Sequence, residues 1–276
     1  MLGNLRVAIT TGSMNRLEPL RRALPTWLAL PEVDDIIIVD WGSSPPLSQS
    51  LRDFTDPRLR IVRVTDQRHW HHAKCHNLEI RLALSADLLL RLDNDTLMRR
   101  DFFLRHPYRE RSFYAVNWRC VPPEVDDKRN LAGTIFAPPR DLMRVNGYNE
   151  RITTYGREDD DLYARLTIEG YRWHGIDIET LDHIPHTDQA RIENLDLGAP
   201  ELHAFSPCES KIWGSPERSV KDMLISMSEK TIAEKPWNKQ DLMTMWDARQ
   251  VSNHYWECWE HKPHQHDFKE CQCPTT

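Results

Sequence analysis

The first hundred residues alternate between short apolar runs and segments whose apolar residues recur at helical spacing. The runs, rich in β-branched residues, predict four strands, at 6–11, 35–40, 58–64 and 87–92. Between them, helical spacing predicts one helix over 17–28 and another over 73–85. Strands and helices in this alternation are typical of a mainly parallel sheet with helices on both faces. We therefore predict an α/β fold.

The second half of the chain is less regular. One further helix is predicted from Glu158 to Glu169, where Leu162 and Leu166 lie one turn apart and Gly170 follows as a stop. Beyond about residue 200 no pattern persists, so we divide the chain into a domain over 1–200 and a C-terminal extension over 201–276.

The end of the extension is polar and rich in histidine and cysteine. Six side chains there could ligate zinc: Cys258, His261, His264, His266, Cys271 and Cys273. Their spacing matches no zinc-finger pattern, so a tail without a zinc site is the favoured interpretation.

Composition narrows the function classes without choosing one. Hydrophobic residues make up 39% of the chain and charged residues 28%, as in an ordinary globular protein. A formal net charge of -6 gives no electrostatic footprint for nucleic acid, which we do not expect as a partner. No run approaches the ~18 apolar residues of a membrane span, and the start lacks a secretory pattern. The expected location is cytoplasmic.

The first candidate site is Asp93-Asn94-Asp95, which ends the apolar run over 87–92. Ligands of open α/β sheets bind at the carboxyl ends of the strands. Carboxylates there suit Mg²⁺ or Mn²⁺ held against a diphosphate. The alternative is that both aspartates are turn residues, which Asp and Asn favour.

Two further clusters of polar residues follow. The acidic run Glu158–Asp161 opens the predicted helix, where carboxylates cap free N–H groups and complement the macrodipole. One or two acids satisfy that role, whereas four repel one another, which would raise one pKa and make a better base. His183 and His186, three positions apart, could face one metal, or be ordinary loop histidines.

Four stretches of the chain carry a family likeness. They are Val7–Thr11 with Asn15-Arg16 and Val39–Ser43; Ala73-Lys74-Cys75-His76-Asn77; Leu92–Asp95; and the stretch over 130–170. The last combines a Gly-rich loop, an Asn-Gly-aromatic turn, an aromatic-Gly pair and Glu-Asp-Asp-Asp. Together they resemble the GT-A fold glycosyltransferases, specifically the family 2-like inverting enzymes and the animal beta-galactosyltransferases with their chondroitin-polymerase relatives.

The resemblance implies a donor site for a UDP-sugar. It places eight residues near the uracil, the ribose or the sugars: Thr10, Thr11, Arg16, Asp40, Lys74, Asp93, Gly133 and Tyr155. Within that set, Asp93 would contact the ribose or a metal-bound water. Gly133 and Tyr155 would align donor and acceptor.

The resemblance also implies a metal site and a base. Asp95 and His186 would bind Mn²⁺ or Mg²⁺, and His183 stands where the animal enzymes carry a sulfur ligand, so it could be a further ligand. Asp159 falls at the position of the catalytic base, with Glu158 as the competing candidate. The expected reaction moves a hexose or N-acetylhexosamine, with inversion, from a UDP-sugar to a hydroxyl of a carbohydrate or other acceptor.

Three departures from the family pattern qualify this expectation. Tyr155 replaces the usual Trp, Arg157 stands at a Gly position beside the presumed base, and Glu79 replaces a Gly after Asn77. Two alternative functions also remain. A sugar nucleotidyltransferase should show a longer Gly-rich phosphate loop than the segment over 10–14. A non-catalytic sugar-binding protein would not need both acidic clusters.

Overall fold

The computed structural model describes residues 2–150, 152, 158–187 and 194–195. Tyr155, Arg157, the predicted extension over 201–276 and its histidine- and cysteine-rich tail lie outside the described residues. None of the helices within the described ranges is long and apolar enough to cross a membrane.

A seven-stranded sheet forms the centre of the molecule, and a two-stranded sheet lies beside it. Nine strands build them: β1 (Val7–Ser13), β2 (Asp35–Trp41), β3 (Leu59–Val64), β4 (Leu88–Arg91), β5 (Thr96–Met98), β6 (Ser112–Ala115), β7 (Ile135–Ala137), β8 (Arg172–Gly175) and β9 (Leu181–His183). The large sheet has the order β3-β2-β1-β4-β7-β6-β8. Only the two pairings of β7, with β4 and β6, are antiparallel. The prediction of a mainly parallel α/β sheet is therefore confirmed.

Six α-helices connect these strands within the described residues. They are α1 (Leu17–Leu28), α2 (Leu47–Ser50), α3 (His72–Leu82), α4 (Phe102–Arg105), α5 (Pro139–Arg144) and α6 (Glu158–Ile168). Three 3-10 helices span Trp118–Cys120, Pro123–Leu131 and Ile178–Thr180. The helices predicted over 17–28, 73–85 and 158–169 correspond to α1, α3 and α6.

The apolar residues of β2 show why the sheet is covered on both faces. Ile37 and Val39 pack into one core with α3, α5 and α6, whereas Ile36 and Ile38 pack into a second core with α1 and α4. Successive strand residues point to opposite faces, so an uninterrupted apolar run requires a core on each side.

The order of the strands reverses beside β1. The chain builds β2 and β3 on one side of β1 and then places β4 on the other, parallel to it, with Thr10 opposite Arg91. Such a reversal leaves a crevice at the carboxyl ends of the two strands. The small sheet lies near this crevice, because the Trp27 indole of α1 donates to the Thr96 carbonyl of β5 at 2.9 Å.

Candidate active site

A cavity of about 550 Å³ occupies the crevice where β1 and β4 end. Seven residues of the predicted site line it: Arg16, Asp93, Asp95, Gly133, Glu158, Asp159 and His186. The structure thus gathers five separate parts of the sequence around one space large enough for a small-molecule ligand.

One wall of the cavity carries a group of metal-binding type. Asp95, His183 and His186 each offer a ligand atom, and these atoms lie within 4.8 Å of one another. The Asp95 Oδ2 atom is 3.4 Å from His186 Nε2 and 4.0 Å from His183 Nε2. Asp95 and His183 are buried.

The small sheet determines this juxtaposition. Strands β5 and β9 pair antiparallel with Thr96 opposite His183, and the Ile184 amide donates to the Asp95 carbonyl at 2.8 Å. Arg16 forms an ion pair with Asp95 Oδ2 at 2.8 Å, which places a cation against this carboxylate. One carboxylate and two imidazoles form a donor set that fits Mn²⁺ better than Mg²⁺, so the residues are compatible with the metal.

The first turn of α6 forms another wall of the cavity. Glu158 is buried and Asp159 is partly buried. Burial raises the pKa of Glu158 to about 7. Burial, reinforced by the neighbouring Glu158 carboxyl, raises the pKa of Asp159 well above its usual range. Carboxyls with raised pKa values in a cleft are suited to proton transfer.

Asp161, the last residue of the acidic run, has a structural role. The buried Asp161 carboxylate accepts from Arg165 Nη2 at 2.5 Å, and the Arg165 guanidinium also donates to the Val145 carbonyl. One turn along the helix from Asp159, the Tyr163 hydroxyl donates to the Ala132 carbonyl at 2.9 Å. The Arg165 contact fixes α6 against Val145 at the end of α5, and the Tyr163 contact fixes it against the loop that leads to Gly133.

Asp93 lies at the end of β4 beside a buried arginine of the same strand. Arg91 Nη2 donates to Asp93 Oδ1 at 2.7 Å, and Arg91 Nη1 donates to the Gly133 carbonyl at 2.5 Å. Burial acts to raise the pKa of Asp93, but the Arg91 guanidinium together with His76 and His72 outweighs it, and the pKa lies below its usual value. Asp93 is thus held as a carboxylate at the edge of the cavity.

Sequence reasoning missed a buried polar network behind this pair. Glu79 of α3 is fully buried and accepts a hydrogen bond from the Thr10 hydroxyl at 3.0 Å. His76 bridges Glu79 Oε1, at 2.9 Å from its Nδ1, and Arg91 Nη2, at 2.7 Å from its Nε2. A usable signal was present, because a charged residue inside an apolar strand such as Leu88–Arg91 requires a buried partner.

Five described residues of the predicted site do not line the cavity: Thr10, Thr11, Asp40, Lys74 and His183, the last being buried beside Asp95. Thr10 and Thr11 are fully buried, and Lys74 lies near the start of α3, where its amide is capped by His71 Nδ1 at 3.3 Å. The fully buried Asp40 accepts from the Ser43 and Leu47 amides and from Arg63, at 2.8, 3.0 and 2.6 Å. In this arrangement Asp40 stabilises the turn after β2, and its contact with a donor stays a prediction.

Asn77, the last residue of the Ala-Lys-x-x-Asn stretch, also has a structural task. Its amide donates to the Tyr148 carbonyl at 2.9 Å, and its carbonyl accepts from the Tyr148 amide at 2.7 Å. Gly147 adopts a φ of +59° directly over this side chain. The Ala-Lys-x-x-Asn stretch and the Asn-Gly-aromatic turn, which are far apart in the sequence, therefore form one hydrogen-bonded unit.

A match to a known family covers part of the metal-binding group and the acidic turn of α6. Residues 123–187 match the family model described as the N-terminal domain of galactosyltransferase. This segment contains Gly133, the first turn of α6, and both His183 and His186. No curated protein sequence matches the chain.

Solved structures extend the likeness beyond this segment. The catalytic domain of Drosophila beta-1,4-galactosyltransferase 7, in complex with xylobiose, is similar at a TM-score of 0.50 and 16% identity, over 70% of this chain and 75% of that chain. The mannosyltransferase PcManGT from Pyrobaculum calidifontis, in complex with GDP-Man and Mn²⁺, is similar at a TM-score of 0.50 and 16% identity, over 62% of this chain and 54% of that chain. At such identities the likeness concerns the fold. The chain therefore has the GT-A fold of these glycosyltransferases, and its residues 123–187 are similar to a galactosyltransferase domain.

Proposed function

We propose that this protein is a metal-dependent, inverting glycosyltransferase that moves a hexose or N-acetylhexosamine from a UDP-sugar to an acceptor hydroxyl. One observation carries the proposal. Asp95 and His186, which with the buried His183 form the metal-binding group, line the same cavity as the Glu158–Asp159 pair, at the point where the strand order reverses. A donor with its diphosphate at the metal-binding group would present its sugar towards the pair.

The comparisons support the class of substrate. The family model that matches residues 123–187 is a galactosyltransferase domain, and the mannosyltransferase that shares the fold was solved with a nucleotide sugar and Mn²⁺. The assignment of uracil as the nucleobase of the donor follows from the sequence resemblance.

The metal would be held by Asp95 and His186, with His183 as a further ligand. When bound, a divalent ion supplies positive charge against the departing diphosphate. Arg16 lies 2.8 Å from Asp95 and adds a second cation on that wall. Asp93, kept ionised by Arg91, is available to accept from the ribose hydroxyls.

Proton transfer is assigned to α6. In its ionised form Asp159 would take the proton of the acceptor hydroxyl while that oxygen attacks the anomeric carbon from the face opposite the diphosphate. Glu158 is the competing candidate. Adjacent residues on a helix project about 100° apart, so only one of the two carboxylates can face the reacting carbon. The loop at Gly133 would hold the acceptor in line.

The test is a donor screen. Purified protein with Mn²⁺ is incubated with UDP-glucose, UDP-galactose, their N-acetylhexosamine analogues and GDP-mannose, and released nucleotide is measured, with Asp95→Asn as the inactive control. Release of UDP supports the proposal. Release of GDP alone would show that the nucleobase of the donor is guanine and not uracil. When pyrophosphate is added, formation of UTP and a sugar 1-phosphate from the UDP-sugar would indicate a nucleotidyltransferase. Binding of a nucleotide sugar without release would indicate a sugar-binding protein.

A further inference from the structure

Arg91 joins the two halves of the cavity. It lies on β4, whose end carries Asp93, and opposite Ile135 of β7, the strand that follows the loop at Gly133. Its side chain is only 3% exposed, yet it reaches the cavity wall. A buried guanidinium at such a junction must be matched by several acceptors, because an unpaired buried charge is strongly unfavourable.

The two ends of the guanidinium contact different parts of the site. Nη2 donates to the Asp93 carboxylate at 2.7 Å, on the side assigned to the donor. Nη1 donates to the Gly133 carbonyl at 2.5 Å, in the loop assigned to the acceptor. A Cβ atom at position 133 would overlap Arg91 Nη1, so a glycine is what allows this close approach.

Glu79 and His76 contact the side of the guanidinium that faces away from the cavity. Glu79 Oε2 lies 3.7 Å from Arg91 Nε, and His76 Nε2 lies 2.7 Å from Nη2. Glu79 is itself fixed by the Thr10 hydroxyl of β1. This support leaves the guanidinium plane little freedom to rotate, and its orientation is transmitted to Asp93 and to Gly133.

We propose that Arg91, oriented by Glu79 and His76, is a positioning residue that couples the donor-side carboxylate Asp93 to the acceptor-side loop at Gly133. This inference rests on the proposed function. Lysine could not replace Arg91, because an ammonium is a point charge and lacks the planar fork that reaches two acceptors in fixed directions. A small displacement of either group would be costly, since a shift of ~1 Å in a catalytic arrangement can cost ~10²-fold in rate.

A double-mutant cycle tests the coupling. The probe for binding is UDP with Mn²⁺, and turnover is UDP release from the best donor of the screen. Arg91→Lys should weaken UDP binding by about 10-fold in the wild-type background but by less than about 2-fold in the Asp93→Ala background, because Arg91 acts on the donor through Asp93. Turnover at saturating donor should still fall by about 10-fold in both backgrounds, since the contact with Gly133 remains lost.

Arg165→Lys is the matched control. Arg165 is another buried arginine that pairs with a carboxylate and a backbone carbonyl, but it does not line the cavity. Its substitution should lower the unfolding temperature without changing UDP affinity by more than about 2-fold. If Arg91→Lys does not fold, Glu79→Gln is used in its place. This variant keeps Arg91 and removes only the Glu79 carboxyl that lies against its guanidinium. The same masking by Asp93→Ala is then expected at about 3-fold.

Equal effects of Arg91→Lys in both backgrounds, or a loss of affinity no larger than that of Arg165→Lys, would overturn the inference while leaving the proposed function intact. Absence of nucleotide release and of UDP binding in the wild-type protein would overturn the proposed function, and this inference with it.

Discussion

His183 Nε2 lies 4.0 Å from Asp95 Oδ2, although the two residues are far apart in the sequence. Strand pairing produces this proximity. β9 pairs with β5, which begins directly after Asp95, and the Ile184 amide closes the pair on the Asp95 carbonyl. The small sheet therefore acts as the frame of the candidate metal group.

The first prediction concerns this metal group. Asp95→Asn should abolish Mn²⁺-dependent UDP binding, because it removes the only carboxylate of the group, and excess chelator should abolish turnover of the wild-type protein. Titration calorimetry with UDP and Mn²⁺ measures the first effect. Asp182→Asn is the control, since Asp182 lies next to His183 on β9 but pairs with Arg99 and Lys128. Full activity in excess chelator would contradict the metal assignment.

The second prediction identifies the base. Asp159→Asn keeps the shape of the side chain but cannot accept a proton, so turnover should fall by about 10²–10⁴-fold while UDP and Mn²⁺ still bind. Steady-state kinetics and binding titration separate the two effects. If Asp159→Asn is nearly as active as wild type and Glu158→Gln is inactive, the base is Glu158.

The third prediction follows from the raised pKa values. Burial places the pKa of Glu158 at about 7 and that of Asp159 well above its usual range, so a base on this helix is increasingly ionised as pH rises. Turnover should therefore increase with pH through neutrality. Glu158→Gln should move this rise to lower pH, because the Glu158 carboxyl helps to raise the Asp159 pKa. A rate profile that stays flat on both sides of about pH 7, the pKa of Glu158, would exclude Glu158 as the base.

The fourth prediction concerns the turn held by Asn77. Gly147 has a φ of +59°, and a Cβ there would overlap the Asn77 side-chain carbonyl. Gly147→Ala should therefore lower the free energy of unfolding by about 1–3 kcal/mol or more. Gly175→Ala is the control, because a Cβ at Gly175 meets no atom within 4 Å, and its effect should stay within about 0.5 kcal/mol. Urea unfolding of both variants compares them.

The sequence predicted the elements that depend on local pattern. The continuous apolar runs of β1, β2 and β4 and the helical spacing of α1, α3 and α6 identify those elements, because burial of both faces of a strand or one face of a helix leaves a regular signature. The short strands β5 to β9 were not predicted. Three or four residues carry too little periodicity, and it is pairing with distant strands that makes them strands.

The candidate site divides in the same way. The sequence by itself determined that Asp93 and Asp95 follow a buried strand and that Glu158 and Asp159 open a helix. Only the tertiary structure decided which polar residues face the cavity. It assigned Asp40 to a turn and Asp161 to Arg165, and it buried Glu79 against Arg91. The reason is physical, since the partner of a buried charge is chosen by the packing of distant elements, which no local pattern records.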